Sequence, residues 1–101
     1  MATVRFNRIT PLIAIKAYLN LAEIVMKNLR TGAHKITPEN MVRIIAVLGE
    51  LSLREVVDNE TREELLSLAN RFSVAIPKKY SRRSIDKLVT AYSFIFRDAS
   101  I

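Results

Sequence analysis

No cysteine, tryptophan or glutamine occurs in this chain of 101 residues, and it contains only two glycines and one histidine. Without cysteine, a disulfide framework and thiolate chemistry are excluded. The two glycines, Gly32 and Gly49, are too few for a glycine-rich phosphate loop. The single histidine, His34, falls far short of a zinc ligand set and has no evident partner that would orient it as a base. The sequence therefore predicts no enzyme activity and no cofactor.

Half of the residues are apolar, so the chain is not intrinsically disordered. Its length predicts one domain, residues 10–101, preceded by a basic arm at residues 1–9. That arm lacks the apolar block of a secretory signal, and we expect an intracellular, cytoplasmic protein. Arginine outnumbers lysine and Ile, Leu and Val are abundant, a composition that favours a thermophilic source.

The net charge is +6 and the isoelectric point is near 10.1, which is typical of small nucleic-acid-binding domains. Residues 1–35 hold six Lys/Arg and one acid, residues 36–76 hold four Arg and seven acids, and residues 77–101 hold six Lys/Arg and two acids. Both ends of the chain are thus basic and the middle is acidic. Either the oppositely charged segments pack beside each other, or the basic segments bind an anionic partner.

Two Thr-Pro pairs, at positions 10–11 and 37–38, each place a capping threonine before a proline at the first helical position. They predict helices over Pro11–Arg30 and Pro38–Leu48. The expected C-terminal stops are Gly32 and Gly49. Polar residues of the first helix recur at steps of four and three and form one narrow stripe. Such a widely apolar helix either lies at the centre of the fold or is covered by a partner.

Capping-box spacing predicts a short helix from Ser52 and a longer one from Thr61 to about Phe72. After a break at Ser73–Pro77, a last helix begins near Ser81 or Ser84. Its predicted inner face consists of Ile85, Leu88, Val89, Tyr92, Ile95 and Phe96. No segment is a convincing strand, and the sequence predicts an all-α bundle of four or five helices.

The basic run at residues 78–83, KKYSRR, comes where this last helix starts. Cations at a helix N-terminus oppose the helix dipole and cost about a few tenths of a kcal/mol each. A site that breaks a local rule is a candidate functional site, here for an anion such as phosphate. Tyr80 lies between the two basic pairs and can stack on a base. The alternative is a solvated basic turn.

The sequence at residues 68–74, LANRFSV, resembles the first helix of helix-turn-helix domains, and residues 81–89, SRRSIDKLV, resemble the start of their recognition helix. The connection is longer than in that motif, and Ser73 replaces the usual glycine. The resemblance implies that Arg82, Arg83 and Lys87 face a DNA groove or backbone. The basic arm is a second candidate, because Arg5 and Arg8 flank Phe6 in a segment without helix signals.

The acidic cluster at residues 58–64, DNETREE, has two interpretations. It is a divalent-cation site, or its acids complement the dipole of the helix that they open, and the second is favoured because the calcium-loop pattern is absent. We therefore predict no metal.

Two functions remain open. The first is a small basic protein that binds DNA or RNA and contacts phosphates without catalysis. Its expected contact residues are Lys78, Lys79, Tyr80, Arg82, Arg83, Lys87, Arg5 and Arg8. The second is a structural or adaptor subunit of a larger protein or nucleoprotein assembly, which associates with itself through its apolar helices as a homodimer or larger oligomer. Membrane-surface binding ranks lowest, and no small-molecule substrate is evident.

Overall fold

The computed structural model describes residues 11–33 and 35–98, which form four helices and no strand. The helices are α1 (Leu12–Thr31), α2 (Pro38–Ser52), α3 (Asn59–Ala75) and α4 (Arg82–Asp98). The predicted all-α bundle is confirmed at this level. Within the described ranges, no helix combines the length and the apolar character that crossing a membrane requires.

Helix α2 lies at the centre of the bundle and packs against all three other helices, most closely against α3 and α4. The first residues of α2 and α4 meet around one groove, and Arg97 near the end of α4 binds Glu50 near the end of α2, so these two helices run in the same direction. Helix α3 runs antiparallel to α2, because Arg62 in its first turn donates to the carbonyl of Ser52 at the end of α2, and Ile76 just after α3 lines the same groove as Pro38 at the start of α2. Of the two alternatives given for the first helix, a central position in the fold is therefore excluded, because α2 occupies that position.

The core is built from apolar residues at helical spacing on all four helices. Phe72 is its largest fully buried side chain. Helix α3 supplies Leu65 and Leu68 to the same core, and α1 supplies Ile15. Each helix therefore buries one apolar face in this core, and its opposite face remains at the surface.

Three outward-facing positions of α1 carry large apolar side chains. Ile13 is 79 % exposed, and Leu21 and Ile24 lie on the same side with more than half of their surface exposed. The polar stripe of α1 instead borders α3, where Glu23 forms an ion pair with Arg71. The broad apolar surface of this helix is thus split between a buried face and an uncovered one.

Two of the predicted helix boundary signals are confirmed. Thr37 caps α2, since its hydroxyl accepts a hydrogen bond from the backbone N–H of Asn40 at 3.2 Å, and Pro38 is the first helical residue. Gly32 ends α1 in the left-handed conformation, with φ of 77°. The start of α1 differs from the prediction, because Pro11 is not the first helical residue but the N-cap, with extended backbone, and the helix begins at Leu12. The predicted capping residue, Thr10, lies outside the described residues.

The predicted stop at Gly49 is wrong, because α2 continues through it to Ser52. Its flanking residues Leu48 and Leu51 are fully buried, and their packing holds the helix together across the glycine. Ser52 does not open a short helix either. It is the last residue of α2, and its hydroxyl donates back to the carbonyl of Gly49 at 2.6 Å.

Helix α3 begins two residues before the predicted Thr61 and ends three after Phe72. Its cap is Asp58, whose carboxylate accepts from the backbone N–H of Thr61 at 3.0 Å. Thr61 itself is buried in the first turn. The predicted break therefore starts only at Ile76.

Helix α4 starts directly after Ser81, one of the two predicted positions. Its inner face was predicted correctly at Ile85, Val89, Tyr92 and Phe96, which are buried or partly buried against the core. Leu88 and Ile95 are exposed, so their assignment to that face is wrong. Both residues lie on one side of α4. That side stays exposed because, among the described residues, α4 packs against α2 and against no other helix.

Replacing each glycine with alanine tests whether Gly32 ends α1 and whether α2 continues through Gly49. The two changes are expected to shift the free energy of unfolding in opposite directions. Gly32→Ala is expected to destabilise the protein by about 1–2 kcal/mol, because a Cβ disfavours the left-handed conformation. Gly49→Ala is expected to stabilise it by roughly 0.5–1 kcal/mol, because alanine is the better helix former and a Cβ there meets no atom within 4 Å. Urea unfolding followed by circular dichroism measures both changes, and equal signs would contradict the boundary assignments.

Candidate functional site

The connection between α3 and α4 presents the basic run at the surface. Ile76 is fully buried and anchors the start of the connection, and the backbone N–H of Tyr80 closes a turn by donating to the carbonyl of Pro77 at 3.2 Å. Between these two fixed points, Lys78 and Lys79 are exposed. The turn therefore holds both lysines outside the core.

Arg82 has a structural contact that accounts for one of the four cations at this helix start. Its Nη1 donates to the backbone carbonyl of Ser73 at 2.9 Å and to the Ser73 hydroxyl at 3.2 Å. Carbonyls in the last turn of a helix carry partial negative charge, which favours a cation there. Arg82 thus stabilises the end of α3 while it lies at the start of α4.

The other three cations of the run, together with Lys87, are exposed and take part in no salt bridge within the described part of the chain. Arg83 and Lys87 are one turn apart on α4, facing away from the core. The ammonium of Lys79 lies 5.4 Å from the centre of the Tyr80 ring, at cation–π distance. These four positive charges, from Lys78, Lys79, Arg83 and Lys87, are available to a ligand, and we call them the basic face.

A groove of about 350 Å³ lies beside the basic face, between the starts of α2 and α4. Its lining is mostly apolar, with Val42, Ile76, Ile85 and Leu88 among the contributors. Tyr80 forms part of its wall. Because Lys79 lies against the same ring, the basic face and the groove share a border.

Polar groups converge at one side of this groove. The hydroxyl of Tyr92 donates to a carboxylate oxygen of Glu39 at 2.9 Å, and Arg43 binds the same oxygen at 3.1 Å. The guanidinium of Arg43 also lies 5.2 Å from the centre of the Tyr92 ring. Ser84 adds a hydroxyl on the α4 side. The groove therefore combines aromatic and aliphatic walls with a few fixed polar groups, as ligand sites do.

A second contact between α2 and α4 fixes the far end of α4. Arg97 donates to both carboxylate oxygens of Glu50, from Nε at 3.1 Å and from Nη2 at 3.0 Å. The side chain of Glu50 is only 5 % exposed. Together with the apolar contacts of α4 with the core, this bidentate ion pair positions the helix that carries Arg83 and Lys87.

Among the described residues, three side chains have pKa values that are shifted away from neutrality. Burial raises the pKa of Tyr18 to about 12. Hydrogen bonds from Thr61 lower the pKa of Asp58, and the neighbouring Tyr92 hydroxyl and Glu39 carboxylate raise the pKa of Arg43. None of these shifts produces a group that exchanges a proton near neutral pH.

The acidic cluster at residues 58–64 lies at the start of α3 and stabilises that end of the helix. Asp58 caps the helix and Glu60 lies in its first turn, where a carboxylate complements the helix dipole. The described residues include no group of three or more acids or histidines arranged to hold a metal ion.

A second basic region was not identified from the sequence. Lys27 and Arg30 of α1 lie with Arg71 of α3 around a groove of about 450 Å³. The ion pair between Glu23 and Arg71, at 2.7 Å, partly neutralises it. Lys27 and Arg30 were visible as members of the polar stripe, but only the docking of α1 beside α3 brings Arg71 to them.

Three residues considered above, Arg5, Arg8 and His34, lie outside the described ranges.

Comparison with protein-family models, with curated proteins and with solved structures found no match for this chain.

Proposed function

We propose that this chain is a small nucleic-acid-binding protein that contacts phosphates through the start of its C-terminal helix and performs no catalysis. The observation that carries the proposal is the basic face, which concentrates four exposed cations in ten residues without a salt bridge in the described part of the chain. Phosphate contacts of this kind supply most of the non-specific affinity for DNA or RNA. Arg82 adds to the local positive potential while holding Ser73, and Arg5 and Arg8 are proposed as further contacts from the arm.

A helix-turn-helix is a narrower version of this proposal. Arg83 and Lys87 lie on the exposed side of α4, where a recognition helix would present them. However, α4 packs on α2 rather than on α3, and six residues separate α3 from α4. Phosphate binding by the basic face does not require the helix-turn-helix geometry.

Removing the basic face tests the proposal. The variant Lys78→Ala/Lys79→Ala/Arg83→Ala/Lys87→Ala is expected to bind labelled oligonucleotides at least about tenfold more weakly at low salt. Because the logarithm of affinity falls with the logarithm of salt by about 0.7–0.9 per phosphate contact, its salt slope should be shallower by up to about 3–4. Fluorescence anisotropy titrations at several salt concentrations measure both quantities. Arg82 is left in place because its loss would also disturb the end of α3.

The matched control removes four exposed cations elsewhere, in Lys16→Ala/Lys27→Ala/Arg30→Ala/Lys35→Ala. It changes the net charge by the same amount, so it separates a localised site from general attraction. We expect this control to retain most of the affinity and of the salt slope. Equal losses in both variants, or no binding by the unmodified protein at low salt, would contradict the proposal.

The uncovered apolar face of α1 favours a second candidate, an adaptor that associates with its own copies. Ile13, Leu21 and Ile24 form an outward stripe that a neighbouring helix can cover. A nucleoprotein subunit would use this face for assembly and the basic face for nucleic acid. The two functions are therefore compatible in one protein.

Self-association predicts a mass of at least twice the 11.5 kDa of the chain in size-exclusion chromatography with light scattering. The change Leu21→Glu/Ile24→Glu should reduce that mass to the monomer value, because charged residues are costly in an apolar interface. The control Leu66→Glu, at an exposed apolar position of α3, should leave the mass unchanged. A monomeric mass for the unmodified protein at micromolar concentration would contradict this candidate.

A further inference from the structure

We infer that the groove between the starts of α2 and α4 receives an unstacked base, and hence that the ligand of the basic face is single-stranded nucleic acid rather than duplex. This inference rests on the proposed function and specifies its ligand. Three observations support it: the shape of the groove, the aromatic rings on its walls and its border with the basic face.

The shape of the groove favours a single base. Its volume of about 350 Å³ is at the small end of the range for ligand sites, roughly 300–1,000 Å³. It is a recess between two helices, with the buried residues Val42, Ile76 and Ile85 among those that line it. Paired bases stacked inside a duplex cannot enter such a recess, whereas an unpaired base can rotate out of the strand into it.

The walls offer stacking surfaces. Tyr80 and Tyr92 both line the groove, and each already has a cation near its ring, Lys79 at 5.4 Å and Arg43 at 5.2 Å. Aromatic rings beside cations are the usual means by which proteins hold unpaired bases without strict sequence preference. The carboxylate of Glu39 and the hydroxyl of Ser84 provide acceptors for the amino or imino groups of a base edge.

The basic face supplies the complementary contacts to the strand. Lys79 lies on the Tyr80 ring at the groove border, and Arg83 and Lys87 immediately precede in sequence two groove residues of α4, Ser84 and Leu88. A base in the groove therefore leaves a flanking phosphate beside Lys79 at the groove border. An acidic apolar peptide fits less well, because its apolar side chains offer no donor to the Glu39 carboxylate or the Ser84 hydroxyl in the groove lining, whereas a base edge does.

The test compares a short mixed-sequence single strand with the same sequence as a duplex, by fluorescence anisotropy at one salt concentration. Tyr80→Ala is expected to weaken single-strand binding at least about fivefold, the lower end of what stacking on one aromatic side chain contributes. Tyr80→Phe should retain the affinity because it keeps the ring. Ser84→Phe should also weaken single-strand binding, because it fills the groove and removes no charge. Duplex binding should be weaker and indifferent to all three changes.

Thermal unfolding of each variant, together with the control Leu66→Phe on α3, separates loss of the site from loss of the fold. If the unmodified protein binds single strands and depends on the basic face, but Tyr80→Ala and Ser84→Phe bind as tightly, the inference is wrong and the proposed function stands. A duplex bound as tightly as the single strand also overturns it. Competition by a Glu/Leu peptide that Ser84→Phe abolishes would assign the groove to a protein partner instead. No binding of any nucleic acid at low salt rejects both proposals.

Discussion

Phe72→Ala is expected to lower the free energy of unfolding by about 3–5 kcal/mol, the usual cost of truncating a buried aromatic side chain. Phe72 is fully buried and is the largest side chain of that class in the core. It lies in the last turns of α3, one residue before the Ser73 carbonyl that binds Arg82. Small domains have only about 5–15 kcal/mol of stability in total, so this single change should leave the protein close to unfolding. Guanidinium or urea unfolding followed by far-ultraviolet circular dichroism measures the difference.

The matched control is Leu66→Ala on the same helix. Its side chain is about half exposed, and its truncation should cost less than about 1 kcal/mol. A loss of similar size in both variants would mean that α3 does not bury Phe72 as described. Because the two positions share a helix, differences in helix propensity between the variants are small compared with the expected effect.

Arg97→Ala is expected to cost about 1–3 kcal/mol, because it leaves the nearly buried carboxylate of Glu50 without its bidentate partner. The same change loosens the end of α4, the helix that carries part of the basic face. The double variant Arg97→Ala/Glu50→Gln should regain part of the lost stability, since a neutral amide is less costly to bury than a carboxylate. Thermal and urea unfolding of the three proteins test this.

Arg71→Ala is the control for burial. It removes an arginine from an ion pair of similar sequence separation, with Glu23, but both side chains of that pair are more than two-fifths exposed. Exposed pairs contribute about 0–1 kcal/mol, so the control should be nearly neutral. If Arg97→Ala costs no more than Arg71→Ala, the burial of Glu50 does not determine the stability of α4.

The existence of the four helices could be predicted from local signals, because capping residues and apolar periodicity act within a few residues of one another. The boundary at Gly49 could not. A glycine stops a helix or continues it according to the packing of its neighbours, and the burial of Leu48 and Leu51 is a property of the whole bundle. The exposure of Leu88 and Ile95 could not be predicted either, because it depends on which residues of α4 the contact with α2 covers.

The candidate site divides in the same way. The basic face lies within ten consecutive residues and was therefore visible as a charge pattern. The groove beside it was not, because it joins residues such as Glu39 and Tyr92 that are 53 positions apart. The contact between Arg82 and Ser73 likewise depends on how the end of α3 approaches the start of α4. It explains why one of the cations lies at the N-terminus of α4, which the helix dipole disfavours.

The central position of α2 has a consequence for local unfolding. Helix α1 packs less closely on the rest of the bundle than α3 and α4 pack on α2, so its detachment breaks fewer contacts than global unfolding does. In native-state hydrogen exchange, the amides of α1 are therefore expected to open at a lower free energy than those of α2, as a separate cooperative unit. A partner helix on the outer face of α1 would slow this opening, which makes amide protection along Leu12–Thr31 a direct measure of whether that face is covered in solution.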